Sequence, residues 1–437
     1  MQVLPNEPNI SVGIVKADSI SVSFNHAYRS LSLNHELKGL YSVAVKDGKA
    51  VLDGADVTNS IFDPVSSSAT FSIQDVQIGI GFHWDRRERQ TFAGSLKFIV
   101  EGGSLWAVNI INVESYLRSV ISSEMSATSD LELLKAHAVT SRSWLMAQVW
   151  GKGKFNGLHK TESANVILTW RDREDHTLFD VCADDHCQRY QGIARVTNAN
   201  VDKAIAETRG LLLTYEGQVC DARFSKCCGG VTERFETAWA DDEHPYLRSV
   251  HDALLPPAQL RDADLTSEAG ARQWATSSPD AFCNTSDSTI LSQVLNDYDQ
   301  TTADFFRWSV TLTASDIETL LRTKGGIDVG SILDLVPVQR GPSGRIFKLK
   351  IVGSAKSVTI GKELEIRRLL SPTHLYSSAF VVDKSADGQS FTLTGAGWGH
   401  GVGLCQIGAA VMAHRGFNFR SILYHYFRRA LIEKGWN

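Results

Sequence analysis

The apolar pattern of the chain changes period near residue 113, and this change constrains the fold more than any other feature. Before it, short apolar or alternating runs (Ile10 to Val15, Ile20 to Phe24, Leu40 to Val45, Leu96 to Val100) lie between Gly, Asn, Asp and Ser breaks. Alternation puts every second side chain on one face, the pattern of strands. Lys46-Asp47-Gly48-Lys49 predicts a tight hairpin, because Asp-Gly supplies the positive φ angles of a type I′ turn. After the change, Val113, Tyr116, Leu117, Val120 and Ile121 follow helical spacing and predict a helix over 113–124. Ser129-Asp130-Leu131-Glu132 reads as a capping box with Ser129 as N-cap. It opens a second helix running to about Trp150, with Leu131, Leu134, Ala138, Leu145 and Val149 on one face. Strands followed by a helix pair predict an α+β fold, mixed and β-rich.

Farther along, Gly210–Tyr215, Val219–Phe224, Phe347–Val352 and Ser357–Ile360 read as strands. Ser315–Thr323, Cys405–His414 and Arg420–Phe427 read as helices, with Gly416 stopping the second of these. Residues 151–175 predict a polar loop around a short strand, and the Asp/Ser/Ala/Thr-rich stretch 256–304 predicts short helices. The length, 437 residues, suggests roughly two or three domains. Lys and Arg total 44 against 49 Asp and Glu, a net charge of −5, which argues against nucleic acid as the main partner. No apolar run reaches the about 18 residues of a membrane span. The first residues, Met1-Gln2-Val3-Leu4-Pro5-Asn6-Glu7, lack a basic and apolar leader, so no signal peptide is expected in this chain. The seven cysteines (182, 187, 220, 227, 228, 283 and 405) are odd in number, which rules out a complete disulfide framework and leaves metal ligation open.

On a helical wheel Glu124 falls about 20° from Val113, inside the apolar stripe. A carboxyl there loses hydration, and burial should raise its pKa into the range a general acid needs. The alternative is a residue just past the helix end, facing solvent or capping the next helix. Glu114 stands four residues before Arg118, the spacing of a surface ion pair. Arg142 falls on the apolar face of the second helix, with Lys135 near its edge. A cation there needs a carboxylate or polar partner, so Arg142 orients a catalytic carboxylate or binds substrate; the alternative is a side chain that snorkels to solvent.

Two further segments carry chemistry. His176, Cys182, His186 and Cys187 lie within twelve residues, a Cys₂His₂ set suited to tetrahedral zinc. Four protein ligands leave no open position, so such a zinc would be structural. The alternative is a surface loop with one disulfide. In Gly395-Ala-Gly397-Trp398-Gly399-His400-Gly401-Val-Gly403, glycine recurs at every second residue. Read as extended chain, one face is bare backbone and the other carries Trp398 and His400, which suits a sugar ring better than a phosphate. The alternative is close packing against a neighbouring element. Cys227-Cys228-Gly229-Gly230 predicts a tight turn, with pairing among Cys220, Cys227, Cys228, Cys283 and Cys405 left open.

Together these segments resemble the SpoIID/LytB family of cell-wall proteins. The resemblance rests on Val113-Glu114-Ser-Tyr116-Leu117-Arg-Ser-Val120 with Ser123-Glu124-Met125, and on Leu134-Lys135-Ala136-His137-Ala138-Val139-Thr-Ser-Arg142-Ser-Trp144. It continues in His176–Gln188–Tyr190–Gly192, Thr208-Arg-Gly210, and Phe224-Ser225 with Cys228-Gly229-Gly230. It ends in Gly397 to Ala409 and Ile422-Leu423-Tyr-His425-Tyr426. It is strong over 105–250 and 390–430 and only in outline elsewhere. The family's Glu-Met-Pro reads Glu124-Met125-Ser126 here, and Cys405 and His137 stand where the family often has Ser and Gln.

The resemblance implies a peptidoglycan lytic transglycosylase that cuts the MurNAc–GlcNAc bond of glycan strands stripped of stem peptides, leaving 1,6-anhydroMurNAc. It implies Glu124 as the catalytic residue, in a long glycan-binding cleft. By motif it places Arg142, Ser225, Trp398, His400 and Gln406 on substrate, and structural zinc on His176, Cys182, His186 and Cys187, with no organic cofactor. The other role in the family is that of a non-catalytic, glycan-binding enhancer of a cell-wall amidase. Partners are thus glycan strands or an amidase, in the periplasm or cell envelope. A zinc hydrolase is a third class. The expected division is a β-rich region at 1–104 and a core at 105–437, made of 105–250 and 390–437 with an α/β elaboration at 251–389.

Overall fold

The computed structural model describes residues 3–79, 85–151, 158–171, 176–184, 186–255, 263–294 and 304–437. The fold is mixed α+β and β-rich. It divides into two compact units, one of Met1–Lys152, Asp175–Leu212 and Glu433–Asn437, the other of Gly153–Glu174 and Leu213–Ile432.

The first unit opens with β1 (Asn9–Ala17), β2 (Ser19–Arg29), β3 (Leu37–Lys46), β4 (Lys49–Leu52), β5 (Ala55–Asp56), β6 (Ile61–Pro64), β7 (Thr70–Ile78), β8 (Arg86–Ala93), β9 (Ser95–Glu101) and β10 (Ser104–Asn112). The sheet order is β1-β10-β9-β6-β2-β3-β4-β5, with β7 on β2 and β8 on β7. The β3–β4 turn is the expected one: Lys46 faces Lys49, and Asp47 and Gly48 hold φ of 50° and 74°. Alternating residues bury an aromatic core of Phe24, Tyr28, Phe62, Phe71, Phe92 and Phe98, with neighbouring rings such as Phe24 and Phe62 5.6 Å apart. β1 pairs along β10 from Asn9–Asn112 to Ala17–Leu105. This pairing explains why no boundary falls at residue 104: the last strand of the β region runs directly into the first helix.

That helix, α1 (Val113–Glu124), begins where the Asn112 side chain accepts the Ser115 N–H at 2.9 Å. In α2 (Leu131–Trp150) the N-cap is Asp130, which accepts the Glu132 N–H at 2.8 Å. Ser129, the expected cap, instead donates its hydroxyl to the Ser126 carbonyl at 2.7 Å. Asp caps as well as Ser does, and the helix starts one residue later. α2 is buried on nearly all sides rather than along one stripe. Its polar residues fit because Thr140 and Ser143 bond back to the Ala136 and Val139 carbonyls at 2.8 and 2.6 Å. α3 (Ala199–Thr208) packs on both α1 and α2.

In the second unit a five-stranded sheet runs Leu158–Ser163, Val166–Arg171, Ser357–Gly361, Ile346–Gly353, Ile332–Arg340. The parallel pairing of Val166–Arg171 with Ser357–Gly361 takes 158–171 into this unit. Arg307–Thr313, Ser390–Ala396 and Phe380–Lys384 form a three-stranded sheet. Ile317, Leu321, Ile346, Leu349, Ile351, Ile366, Phe391 and Leu393 fill a core shared with the Ala314–Gly325 and Glu363–Leu369 helices. Only Gln218–Val219 and Phe224–Ser225 are strands in the stretch expected to be one strand over 219–224. Gly416, at φ 85°, ends the Gln406–His414 helix as expected, with the Phe417 N–H returning to the Met412 carbonyl at 3.1 Å. Among the described residues no helix is long and apolar enough to cross a membrane.

Candidate active site

Glu124 is the last residue of α1 and is half-buried, while Val113, Tyr116, Leu117, Val120 and Ile121 are wholly buried. Its Oε1 accepts the Arg189 main-chain N–H at 3.0 Å. That donor is held from both sides. Gln188, buried before it, accepts the Tyr116 hydroxyl at 3.4 Å and donates to the Ser141 carbonyl at 3.3 Å. Tyr190, buried after it, stacks on Tyr116 at 4.9 Å and donates its hydroxyl to Asn109 Oδ1 at 2.6 Å. Asn109 in turn is fixed by the Ala93 and Ser95 carbonyls, both at 2.9 Å. The chain leaves Glu124 through an extended, buried Met125. Where the family has proline, the Ser126 carbonyl accepts both the N–H and the hydroxyl of Ser129, at 3.1 and 2.7 Å, and closes the turn.

The segment carrying Arg189 also carries the Cys and His residues. Val181–Cys182 pairs parallel with β1, and the Tyr190 N–H reaches the Ala183 carbonyl at 3.0 Å. Gly13 is required at the crossing, since a Cβ there would overlap the Phe179 ring. One ligand atom from each of His176, Cys182, His186 and Cys187 lies within 4.8 Å of the others. Cys187 Sγ stands 3.5 Å from both His176 Nε2 and His186 Nδ1, and Cys182 Sγ 3.7 Å from His186 Nδ1. A zinc tetrahedron with ordinary bond lengths has S···N edges of about 3.5 Å and S···S edges of about 3.8 Å. The four residues therefore fit zinc. Hydrogen bonds from Cys187 and then, against burial, from His176 and His186 pull the Cys182 thiol down to about 2, the thiolate form a metal requires. Burial pushes the Tyr116 phenol well up, and charge on Cys187, Cys182 and Glu124 adds to it, so the cluster and Glu124 act on one ring.

Two sequence readings need correction. Glu114 does not pair with Arg118, whose Nε instead meets Asp202 at 2.6 Å. Glu114 turns inward to Arg142, with Oε2 and Nη2 2.6 Å apart. Arg142 is wholly buried and donates also to the Leu211 carbonyl at 3.1 Å, while Glu114 Oε1 accepts the Gly210 N–H at 2.8 Å and Trp436 Nε1–H at 3.1 Å. The guanidinium is consumed inside the unit, out of reach of a glycan. Helical spacing put Glu114 on the flank of α1, but α2 and the 208–211 segment cover that flank.

In the second unit the glycine ladder is extended chain only at Gly395, within the Ser390–Ala396 strand, and leaves that conformation from Gly397 on. Gly397, Gly399, Gly401 and Gly403 hold φ of 77°, 92°, 74° and 75°. Protein fills the face expected to be bare: a Cβ at Gly401 would overlap the buried Arg345 guanidinium, and one at Gly403 the Arg223 carbonyl. The spacing thus answers to close packing and left-handed backbone. Ser225, Trp398, His400 and Gln406 share one neighbourhood, set by the parallel pair Phe224–Ser225 and Leu404–Cys405. Trp398 is half-buried against Tyr376 at 4.3 Å and Phe305 at 4.9 Å. His400 Nδ1 accepts the Val402 N–H at 3.0 Å, and its ring meets Trp239 edge-on at 4.9 Å. Burial, with Arg223, Arg345 and Arg367 nearby, holds His400 well below its ordinary range, so the imidazole is neutral. Ser225 and Gln406 are buried, and among the described residues Ser225 Oγ and Gln406 Nε2 have no hydrogen-bond partner. Sequence reasoning missed the Arg189 N–H, which no side-chain pattern signals, and Arg345.

Residues 101–215 match the family described as Stage II sporulation protein, and residues 233–403 match a domain of unknown function, DUF8618. An uncharacterized protein of Brachyspira hyodysenteriae is 27% identical over 336 residues, 77% of this chain and 70% of that protein. The amidase enhancer of Bacillus subtilis is 28% identical over 71% of this chain, which spans only 39% of that protein's length. Stage II sporulation protein D of Bacillus subtilis is 25% identical over 75% of this chain and 76% of its own length.

Proposed function

Because the chain belongs to the SpoIID/LytB family of cell-wall proteins, we propose that it is a peptidoglycan lytic transglycosylase acting outside the cytoplasmic membrane, with Glu124 as its acid and base. The observation that carries this reading is the half-buried Glu124 carboxyl, set against a fixed main-chain donor at the end of α1. In its uncharged form this carboxyl protonates the glycosidic oxygen between MurNAc and GlcNAc. The Arg189 N–H favours the carboxylate left behind, which takes the proton of the MurNAc 6-hydroxyl as that oxygen closes on the anomeric carbon. One carboxyl serves both steps, so the two-carboxylate spacing of most glycosidases does not apply. Zinc on His176, Cys182, His186 and Cys187 would supply a rigid crosslink that fixes the segment bearing Arg189. The family motif around Trp398 and His400 supports glycan contact in the second unit, the indole as a stacking face and the neutral imidazole as a hydrogen-bonding group.

A second reading, a non-catalytic glycan-binding enhancer of a cell-wall amidase, is supported by the relative of that name. Digestion of denuded peptidoglycan by the wild type and by Glu124→Gln separates the two. The proposal expects anhydro-terminated fragments from the wild type and a loss of about 100-fold or more in the variant. Release of none by the wild type, with stimulation of an amidase intact, would establish the second reading. Equal release by both proteins would remove Glu124 from the chemistry.

A further inference from the structure

A second group of soft ligands lies in the second unit, apart from the Cys and His residues described above. Cys228, Asp252, Cys283 and Cys405 each offer one ligand atom within 4.8 Å of the others, and all four residues are buried. They come from four separate segments. Cys228 stands in the turn after the Phe224–Ser225 strand, and Asp252 beside the bridge between Val231 and His251. Cys283 lies just past Phe282, whose N–H bonds the Asp252 carbonyl, and Cys405 is the N-cap residue of the Gln406–His414 helix. We propose that these four residues form a second, closed zinc site.

The distances suit a single ion. Cys228 and Cys283 Sγ are 3.6 Å apart, against about 3.8 Å for the S···S edge of a zinc tetrahedron. A disulfide would use two of these thiols and leave a third thiol and a carboxyl buried together, whereas a metal engages all four groups. The ligands are already oriented. Asp252 Oδ1 accepts the Tyr426 hydroxyl at 2.6 Å and Oδ2 the Cys283 N–H at 2.9 Å, while Cys405 Sγ accepts the Cys228 N–H at 3.2 Å. Such bonds aim a ligand without using its remaining lone pairs. Three thiolates and a carboxylate exceed the charge of Zn²⁺ by two. Two cations flank them: the buried Arg345 donates to the Cys228 carbonyl at 3.2 Å, and the half-buried Arg307 to the Gly229 carbonyl at 3.0 Å. With no open position the ion would be structural, tying the start of the Gln406–His414 helix to three loops.

The test is a zinc count on the full chain, purified under a phosphine reductant without chelator. The wild type should hold two ions, and a Cys182→Ser/Cys187→Ser variant should keep one. In that background Cys405→Ser and Asp252→Asn should each weaken retention in chelator competition by about 10-fold or more. Cobalt(II) loaded in place of zinc should show a thiolate-to-cobalt absorption band that weakens in Cys405→Ser. If the double variant fails to fold, the wild-type count decides. One ion in the wild type, unchanged by Cys405→Ser, would overturn the proposal. So would a Cys182→Ser/Cys187→Ser variant that folds and holds no zinc, or a Cys228–Cys283 disulfide found by non-reducing peptide mapping.

Discussion

Replacing Arg142 with methionine separates a substrate-binding role from an internal one. The guanidinium is wholly buried 2.6 Å from Glu114, itself only 4% exposed. Removing one partner of a buried pair leaves an uncompensated charge and costs about 3–5 kcal/mol. Here Glu114 keeps two neutral donors, Gly210 N–H and Trp436 Nε1–H, so the lower end of that range applies, about 3 kcal/mol. At about 2–4 °C per kcal/mol for a unit of this size, Tm should fall by about 6–12 °C. Arg142→Met/Glu114→Gln removes both charges and should recover about 2 kcal/mol of that loss. Urea and thermal unfolding of the wild type, the two single variants and the double variant close the cycle. A methionine variant within about 0.5 kcal/mol of the wild type would refute the reasoning. If that variant also lost glycan binding, Arg142 would belong to the substrate site.

Three further outcomes follow from the same structure. His137 is wholly buried, and burial lowers its pKa from 6.5 to about 3. The unfolded chain therefore binds a proton below 6.5 that the folded chain refuses, and stability falls as pH drops from 6.5 toward 3. His137→Gln should reduce that slope by up to about 1.4 kcal/mol per pH unit, read as urea midpoints from pH 7 to pH 5, and an unchanged slope would contradict it. Gly403→Ala meets both a φ of 75° and the Arg223 carbonyl and should cost about 3 kcal/mol or more, whereas Gly416→Ala, at φ 85° in open space, should cost about 1. Equal melting temperatures for the two variants would show that the ladder is not packed as described. Cys187→Ser should release zinc and lower Tm and glycan cleavage together, while a zinc that took part directly in catalysis would lose turnover with Tm unchanged.

Much of the first unit was legible because its signals are local. Asp47-Gly48 set a hairpin, and Val113 to Ile121 set α1 to the residue, since turn chemistry and periodicity act over a few positions. The cap of α2 moved by one residue because Ser129 and Asp130 are both good caps, and only the path of the preceding turn chooses between them. The Glu114–Arg142 pair spans 28 residues and depends on how α1 meets α2, which no wheel shows. The glycine ladder misled for a related reason. Period two is the mark of a strand, yet glycine at alternate positions also permits a series of left-handed residues, and the packing of Arg345 and Arg223 decides between them. The Cys and His residues near Glu124 were visible from spacing. The group at Cys228, Asp252, Cys283 and Cys405 was not, because 177 residues separate its first and last members.

The most direct measurement is the mass of the glycan ends released from denuded peptidoglycan in heavy-oxygen water. If Glu124 closes the MurNAc ring on itself, wild-type products carry an anhydro end, lighter than a reducing end by one water, with no heavy oxygen. The folded Glu124→Gln variant should release almost none. Reducing ends labelled with heavy oxygen, or the same products from Glu124→Gln, would contradict the account.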